Sequence, residues 1–243
     1  MFVFPMSGRA QRFLEAGYDV EKYLLKVEGF TIFERAVMSF QEYFHSDKFV
    51  FIMRDDDKNK NLVRQLIVAM DITSFSIVEI SHSYGQADTV RQGIFILELN
   101  NCGKNLQDEE IYIFNIDSFL MCFKKFSMNE NVKASLDVFR PVGEHFSFVT
   151  PHTCLPNTVH SVTEKIKVSD LASTGLYYFK YVKDFLECID IAGESVIDQY
   201  GELYVAPLLN YLVQRDELVT YREIENDEIV ILGTPLEYED YVG

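Results

Sequence analysis

Three residues stand where they could handle a phosphate chain. Arg12 and Lys22 follow a short apolar strand, Phe2 to Met6, that opens into Ser7-Gly8-Arg9-Ala10-Gln11. A glycine in a loop of small residues lets main-chain N–H groups approach phosphate oxygens closely. Arg offers a planar fork for those oxygens and Lys a compact charge. Asp117 follows a second apolar run, Ile111 to Asn115. A carboxylate at the C-terminal end of a central parallel strand lies where open α/β sheets bind ligands. Its hard oxygens suit Mg²⁺ bound jointly with substrate phosphates. Plain structural readings exist for each: a βα turn for the loop, and a turn-capping side chain for Asp117.

Composition narrows the partners. The 243-residue chain has a formal charge of −16. That argues against nucleic acid or an anionic membrane, since both need a basic face. An acidic chain can still bind phosphates if its few cations gather in one cleft. No apolar run reaches the ~20 residues of a spanning helix. No basic segment followed by an apolar one opens the chain, so a cytoplasmic location is expected. Cys102, Cys122, Cys154 and Cys188 are scattered without C-x-x-C spacing. They are expected to be reduced and mostly structural, and zinc is disfavoured. The five His lack metal-ligand spacing, and no Ser has a nucleophile-elbow context.

The positioning elements alternate at first. Strands are predicted at Phe2 to Met6, Lys48 to Met53, Ser76 to Ile80 and Ile111 to Asn115. Helices are predicted at Thr31 to Tyr43, Leu62 to Met70 and Ala87 to Leu99. That rhythm predicts a doubly wound parallel sheet. After about residue 119 it changes. Lys133 to Arg140, Phe146 to Thr150, Val159 to Ile166 and Ser173 to Lys180 read as strands without helical crossovers. Tyr181 to Ala192 and Leu203 to Arg215 read as helices, and Glu228 to Leu232 as the last strand. The expected fold class is α/β: a Rossmann-like three-layer sandwich with a mixed, mostly parallel central sheet. No Pro/Gly/Ser-rich linker divides the chain, so 1–243 is expected to be one domain with halves 1–119 and 120–243.

Further segments carry polar groups. Tyr84-Gly85-Gln86-Ala87-Asp88-Thr89-Val90 opens a predicted helix, where small residues would let main-chain groups read the edge of a base. It also reads as an ordinary helix start with Gly as cap. Glu164-Lys165 precedes a polar stretch and then Ser173-Thr174-Gly175-Leu176-Tyr177. Alone, Glu164-Lys165 is as readily a solvated charge pair.

In order along the chain, these segments resemble the nucleotide-sugar pyrophosphorylase family of nucleotidyltransferases. That family opens on L-A-G-G-x-G-T-R-L and continues with P-K-x-L-L. Here the pattern stands as Pro5-Met6-Ser7-Gly8-Arg9-Ala10-Gln11-Arg12-Phe13 and Glu21-Lys22-Tyr23-Leu24-Leu25. The resemblance implies catalytic roles for Arg12 and Lys22. It implies nucleotide contacts from Met6, Ser7, Gly8, Arg9, Gly85, Gln86 and Ala87, and an N-x-D metal ligand, Asp117, for Mg²⁺. Glu164 and Lys165 match the family's acceptor-binding E-K, and Gly175 its N-x-G-I-Y strand. Glu202 to Asn210 is similar to the acceptor-side helix of capsule-type members, which adds Tyr204 and Asn210 to the acceptor set. Gly233-Thr234-Pro235 matches a late G-T-P turn.

Four positions depart from the pattern. Ser7 and Ala10 replace glycines, Glu21 replaces Pro, and Ile231 stands where a second metal-binding Asp is common. What the resemblance implies is transfer of a nucleotidyl group from an NTP to a phosphorylated acceptor. Within the family the chain is similar to a bacterial capsule-cluster branch of cytidylyltransferases. There CTP and L-glutamine phosphate are the substrates, and the product supplies phosphoramidate groups. A sugar 1-phosphate acceptor is the alternative. A non-catalytic nucleotide-binding regulatory subunit is the alternative of another class. The expected partners are CTP and the phosphorylated acceptor, with a homo-oligomer left open.

Overall fold

The computed structural model describes residues 1–100, 105–127 and 129–243. Cys102 therefore lies outside the described residues. The chain starts with β1 (Phe2–Pro5), α1 (Gln11–Glu15) and a 3₁₀ turn at Lys22–Leu24, then the small hairpin β2 (Lys26–Val27) and β3 (Phe30–Thr31). It continues through α2 (Ile32–Met38), β4 (Phe49–Arg54), α3 (Lys60–Ala69), β5 (Phe75–Ile80), α4 (Gln86–Asn100) and β6 (Ile111–Phe114). Next come β7 (Ser118–Leu120), β8 (Val132–Phe139), β9 (Ser147–Pro151), β10 (Val159–Glu164) and β11 (Ala172–Phe179). Last are α5 (Val182–Tyr200), α6 (Val205–Gln214), β12 (Leu218–Glu223), β13 (Ile229–Ile231) and α7 (Pro235–Val242).

The main sheet runs β10-β9-β11-β6-β1-β4-β5, with β8 paired to both β11 and β12. β1, β4, β5 and β6 are parallel neighbours. β11 runs against β6, β8 and β9, and β10 against β9. Only β10 and β11 therefore oppose the common direction, which makes the sheet mixed and mostly parallel.

Alternation along the central strands builds the three layers. Successive side chains of a strand point to opposite faces. Phe2 and Phe4, Phe49 and Phe51, and Tyr112 and Phe114 all enter one core, with Phe33, Ala36, Val37 and Phe40 of the α2 region. Val3, Val50, Ile52, Ile111 and Ile113 enter the other, under Val90 and Ile94 of α4 and Phe185 and Ile189 of α5. The aromatic face and the branched aliphatic face are thus set by odd and even positions. Each fully buried Phe contributes roughly 1.5–3 kcal/mol relative to exposure. Gly93 belongs to this packing, because a Cβ there would sit 2.3 Å from Ile52 Cδ1.

Several boundaries differ from the periodic reading. α2 stops at Met38 and not at Tyr43, and a 3₁₀ turn takes Gln41–Tyr43. The backbone leaves helical geometry at Phe40 (ψ 23°), which seats that ring 4.7 Å from Phe2 and from Phe123. α5 continues past Ala192 until Gly201 adopts left-handed φ 82°. β12 and α7 lie outside the elements that the sequence pattern predicts. β12 is an edge strand paired with β8. α7 carries a legible start signal, a capping box between Thr234 and Glu237 with Pro235 in the first turn. The last strand, β13, pairs with β7 in a separate two-stranded ribbon, not in the main sheet.

Cys122 and Cys154 are exposed, which corrects the expectation of mostly structural thiols; Cys188 is in the core. Burial pushes the Cys188 thiol up to about 12. Among the described residues no helix is long and apolar enough to cross a membrane.

Candidate active site

The C-terminal ends of β1, β4 and β6 open onto a cleft of about 720 Å³. Its floor on one side is the loop after β1. Met6 is buried there, and its N–H donates to Ile52 O at 2.8 Å, so the loop leaves the sheet late. Ser7 Oγ lies 2.6 Å from Thr89 Oγ1 and 3.2 Å from Ser83 Oγ. The side chain that replaces a glycine is thus absorbed in a hydroxyl cluster with the start of α4. Ala10 precedes α1 in the left-handed region, φ 48°. A Cβ in that conformation costs about 1 kcal/mol, which the family's glycine would avoid.

Arg12 and Lys22 both line the cleft. Lys22 Nζ donates to Asp117 Oδ2 at 2.6 Å, across 95 residues of sequence. The two side chains are only 16% and 24% exposed, so the pair is half screened from water. Phe13 lies under the ammonium at 5.6 Å. Arg12 is exposed and makes no ion pair among the described residues. It stands available for an anion, whereas Arg9 is tied to Asp56 at 3.3 Å.

Asp117 follows β6, and its carbonyl accepts the Leu232 N–H at 2.8 Å. The β7–β13 ribbon thereby brings Ile231 and Gly233 beside it. A Cβ on Gly233 would sit 3.6 Å from Asp117 Oδ2 and 3.4 Å from Glu237 Oε2. His145, from the β8–β9 loop, holds Glu237 Oε1 through Nε2 at 2.8 Å. His145, Glu237 and Arg54 were not singled out from sequence. Only the S/T-x-x-E box of α7 signalled one of them.

At the start of α4, Gly85 has φ +134°, and a Cβ there would lie 2.6 Å from Leu203 N. Leu203 N–H donates to Tyr84 O at 2.7 Å, and Ala87 N–H to Leu203 O at 2.9 Å. This close main-chain crossing requires glycine. Gln86 Nε2 donates to Asn115 Oδ1. Gly175 keeps room for that amide, since its Cβ would fall 2.5 Å from Asn115 Nδ2.

The opposite wall holds Glu164, Tyr177, Glu202 and Tyr204. Glu164 is buried and accepts from Ser147 Oγ. Burial holds its carboxyl above the ordinary value, against the lowering by Ser147 and Lys165. Burial, with Glu164 nearby, pushes the Tyr177 hydroxyl up to about 12. Lys165 Nζ donates to Tyr204 Oη at 2.6 Å and lies 4.0 Å from Glu164 Oε1.

Three sequence-selected residues do not line the cleft. Asn210 uses its amide on the Val162 peptide, accepting at 2.8 Å and donating at 2.7 Å, which ties α6 to β10. It is a structural clamp, a correction to its acceptor assignment. Ala87 is fully buried with its N–H committed to Leu203. Lys165 stands behind the lining residue Tyr204 in the hydrogen-bond chain. Met6, Ser7, Gly8, Arg9, Arg12, Lys22, Gly85, Gln86, Asp117, Glu164, Gly175 and Tyr204 share the one cleft.

A solved nucleoside-diphosphate-sugar pyrophosphorylase from Vibrio cholerae RC9 is 37% identical over 100% of this chain and 99% of its own, with a TM-score of 0.91. The chain belongs to the nucleoside-diphosphate-sugar pyrophosphorylase family. Two more distant structures share the fold. The inositol-1-phosphate CTP transferase of T. maritima is 16% identical, covers 99% of this chain and 92% of its own, and has a TM-score of 0.70. The CTP:phosphocholine cytidylyltransferase of Streptococcus pneumoniae is 14% identical, with 98% and 96% covered and a TM-score of 0.66. No protein-family model and no curated protein matches the chain.

A pyrophosphorylase-family site raises the question of a metal. Among the described residues no three His, Cys, Asp or Glu side chains converge. Mg²⁺ needs no such cage, since it keeps waters and is held by one or two carboxylates together with substrate phosphates. Asp117 offers one hard donor, and bare Gly233 leaves space beside it. Ile231 cannot ligate. The donor set fits a metal shared with a triphosphate.

Proposed function

We propose that the chain transfers CMP from CTP to a phosphorylated small molecule, L-glutamine phosphate, and releases pyrophosphate. The general reaction class follows from the family. The observation that carries the site reading is the contact of Lys22 with Asp117 in a cleft that Arg12 also lines. Two cations and one carboxylate thus line one cleft.

In this reading an acceptor phosphate oxygen attacks the α-phosphorus of CTP in line. A new P–O bond forms as the bond from the α-phosphorus to the bridging oxygen breaks, and that oxygen leaves with pyrophosphate. Arg12 offsets charge on the departing pyrophosphate. Lys22 leaves Asp117 to steady the α-phosphate and the attacking oxygen. Asp117 and the phosphates would hold Mg²⁺, which supplies Lewis-acid neutralisation of the triphosphate. The main chain around Gly8 and Gly85 positions the nucleotide, and Gln86 stands ready at the base. Positioning and electrostatics carry the reaction without a covalent enzyme intermediate.

The acceptor choice rests on the opposite wall. L-Glutamine phosphate brings an α-ammonium and an α-carboxylate besides its phosphoryl group. Glu164 offers a buried carboxylate for the ammonium. Tyr204, which lines the cleft and accepts from Lys165 behind it, offers a hydroxyl for the carboxylate, and Lys165 adds a positive charge at second remove. The capsule-type resemblance of Glu202 to Asn210 also supports this acceptor. A sugar 1-phosphate is the second reading, favoured by the name of the Vibrio cholerae relative. The test is pyrophosphate release with four NTPs against L-glutamine phosphate and common sugar 1-phosphates. CTP with L-glutamine phosphate is expected to give the highest kcat/KM. A sugar 1-phosphate that equals it would overturn the acceptor and leave the reaction class standing.

A further inference from the structure

Arg54 ends β4 and points into the cleft with its side chain 11% exposed. Its guanidinium reaches three separate segments. Nη1 donates to Gly8 O at 3.2 Å, in the phosphate loop. Nη2 donates to Glu21 Oε1 at 2.7 Å, in the residue before Lys22. Nε donates to Asp56 Oδ1 at 2.9 Å, and Asp56 in turn holds Arg9 at 3.3 Å. A planar fork with fixed donors suits such a junction better than a lysine would.

Lys22 sits in a single 3₁₀ turn, Lys22–Leu24, followed by the two-residue strands β2 and β3. A turn that short does not hold its own geometry. The next anchors along the chain are Tyr23 Oη on Asp57 Oδ2 at 2.7 Å and Arg54 on Glu21. The first ends in the loop after β4 and the second on the last residue of β4. The segment carrying Lys22 is therefore fastened to the end of β4 on either side of the lysine.

We infer that Arg54 is a positioning residue, which locks the Lys22 segment and the phosphate loop into one unit through Glu21 and Gly8. The inference rests on the reading that Lys22 acts on the reacting phosphates. Arg54 acts through Glu21 and does not substitute for Lys22 on the substrate.

Glu21 allows a direct test. Its backbone stands at φ −57°, ψ 134°, inside the range that proline imposes. Its N–H has no hydrogen-bond partner among the described residues. Proline at this position can supply by covalent restraint what the ion pair supplies by contact. Glu21→Ala, Glu21→Pro, Arg54→Met, the Glu21→Pro/Arg54→Met double variant and Lys22→Met are assayed for kcat and for NTP KM. Glu21→Ala and Arg54→Met are expected to lose kcat by roughly 10- to 100-fold, the range for misplacing a catalytic group, with NTP KM little changed. Glu21→Pro is expected to keep most of the wild-type kcat and to restore most of what Arg54→Met loses.

A purely structural role would lower thermal stability without this split and without rescue. A role on the substrate would raise NTP KM in Arg54→Met and resist rescue by proline. Either outcome overturns the inference. If Arg54→Met does not fold, the contrast between Glu21→Ala and Glu21→Pro decides alone, and equal kcat values refute the inference. An active Lys22→Met would instead refute the reading of Lys22 itself.

Discussion

Lys22 and Asp117 neutralise each other before any substrate arrives, and that makes an opposed pair of effects measurable. Replacing Lys22 by Met removes the ammonium 2.6 Å from Asp117 Oδ2. At that separation two unit charges attract by about 1.6 kcal/mol in bulk water and about 6 kcal/mol at an effective dielectric near 20. The side chains remain 16% and 24% exposed, so solvent already competes for both. Screening, desolvation and side-chain ordering reduce the net value to ~1–2 kcal/mol. On the proposed reading, a divalent cation that takes Asp117 Oδ2 in the nucleotide-free protein displaces this ammonium. In Lys22→Met that cost is gone, and metal affinity should rise roughly 5- to 30-fold. Turnover should move the other way, falling about 10²- to 10³-fold, as for loss of one charge-stabilising group. Mn²⁺ titrated into nucleotide-free protein, with free ion read by electron paramagnetic resonance, measures the first effect. Steady-state pyrophosphate release measures the second. Asp117→Asn is the control and should lose the metal in either background. Unchanged or weaker Mn²⁺ binding in Lys22→Met would refute the idea that lysine and metal share Asp117.

Two other substitutions test the walls of the cleft. Burial holds the Glu164 carboxyl above the ordinary 4.5, against Ser147 and Lys165, so the uncharged form is favoured by the fold. Its stability contribution is complete below 4.5 and is lost as pH rises through the folded value. Glu164→Gln should therefore melt higher than wild type at pH 8, lose that advantage at pH 4, and show a raised KM for the acceptor; a gain that persists at pH 4 by scanning fluorimetry would contradict this. Gly85→Ala forces a Cβ to 2.6 Å from Leu203 N at φ +134°. It should cost roughly 2–4 kcal/mol in urea unfolding, and a loss below about 0.5 kcal/mol would show that the crossing is not tight.

Much of the scaffold was open to reading because it depends on short-range pattern. The alternation of Phe2, Val3 and Phe4 with the same pattern at Phe49 to Ile52 marks strands buried on both faces. The capping boxes at Thr31 and Thr234 are equally local signals. Helix ends were less legible. Phe40 continues the helical period, yet its ring fills a hole between Phe2 and Phe123, and the backbone bends to let it. The edge strand β12 has no alternation strong enough to announce itself, because only Val219 of its six residues is buried.

At the site, the residue types that can meet a triphosphate and a metal were determined by the sequence alone: Arg12, Lys22 and Asp117, each beside an apolar strand or a glycine loop. Which of them touch was not. Lys22 and Asp117 meet because β1 and β6 are adjacent parallel strands, and strand order is a property of the sheet. The same holds for Arg54, whose three partners come from three loops gathered at one end of that sheet. Asn210 shows the converse. Its side chain could bind a ligand, but the packing of α6 on β10 places a bare peptide within reach, and buried peptide groups are satisfied first. Composition and spacing select candidate groups, whereas charge pairing and peptide satisfaction, decided by distances across the fold, determine which of those groups remain free for a substrate.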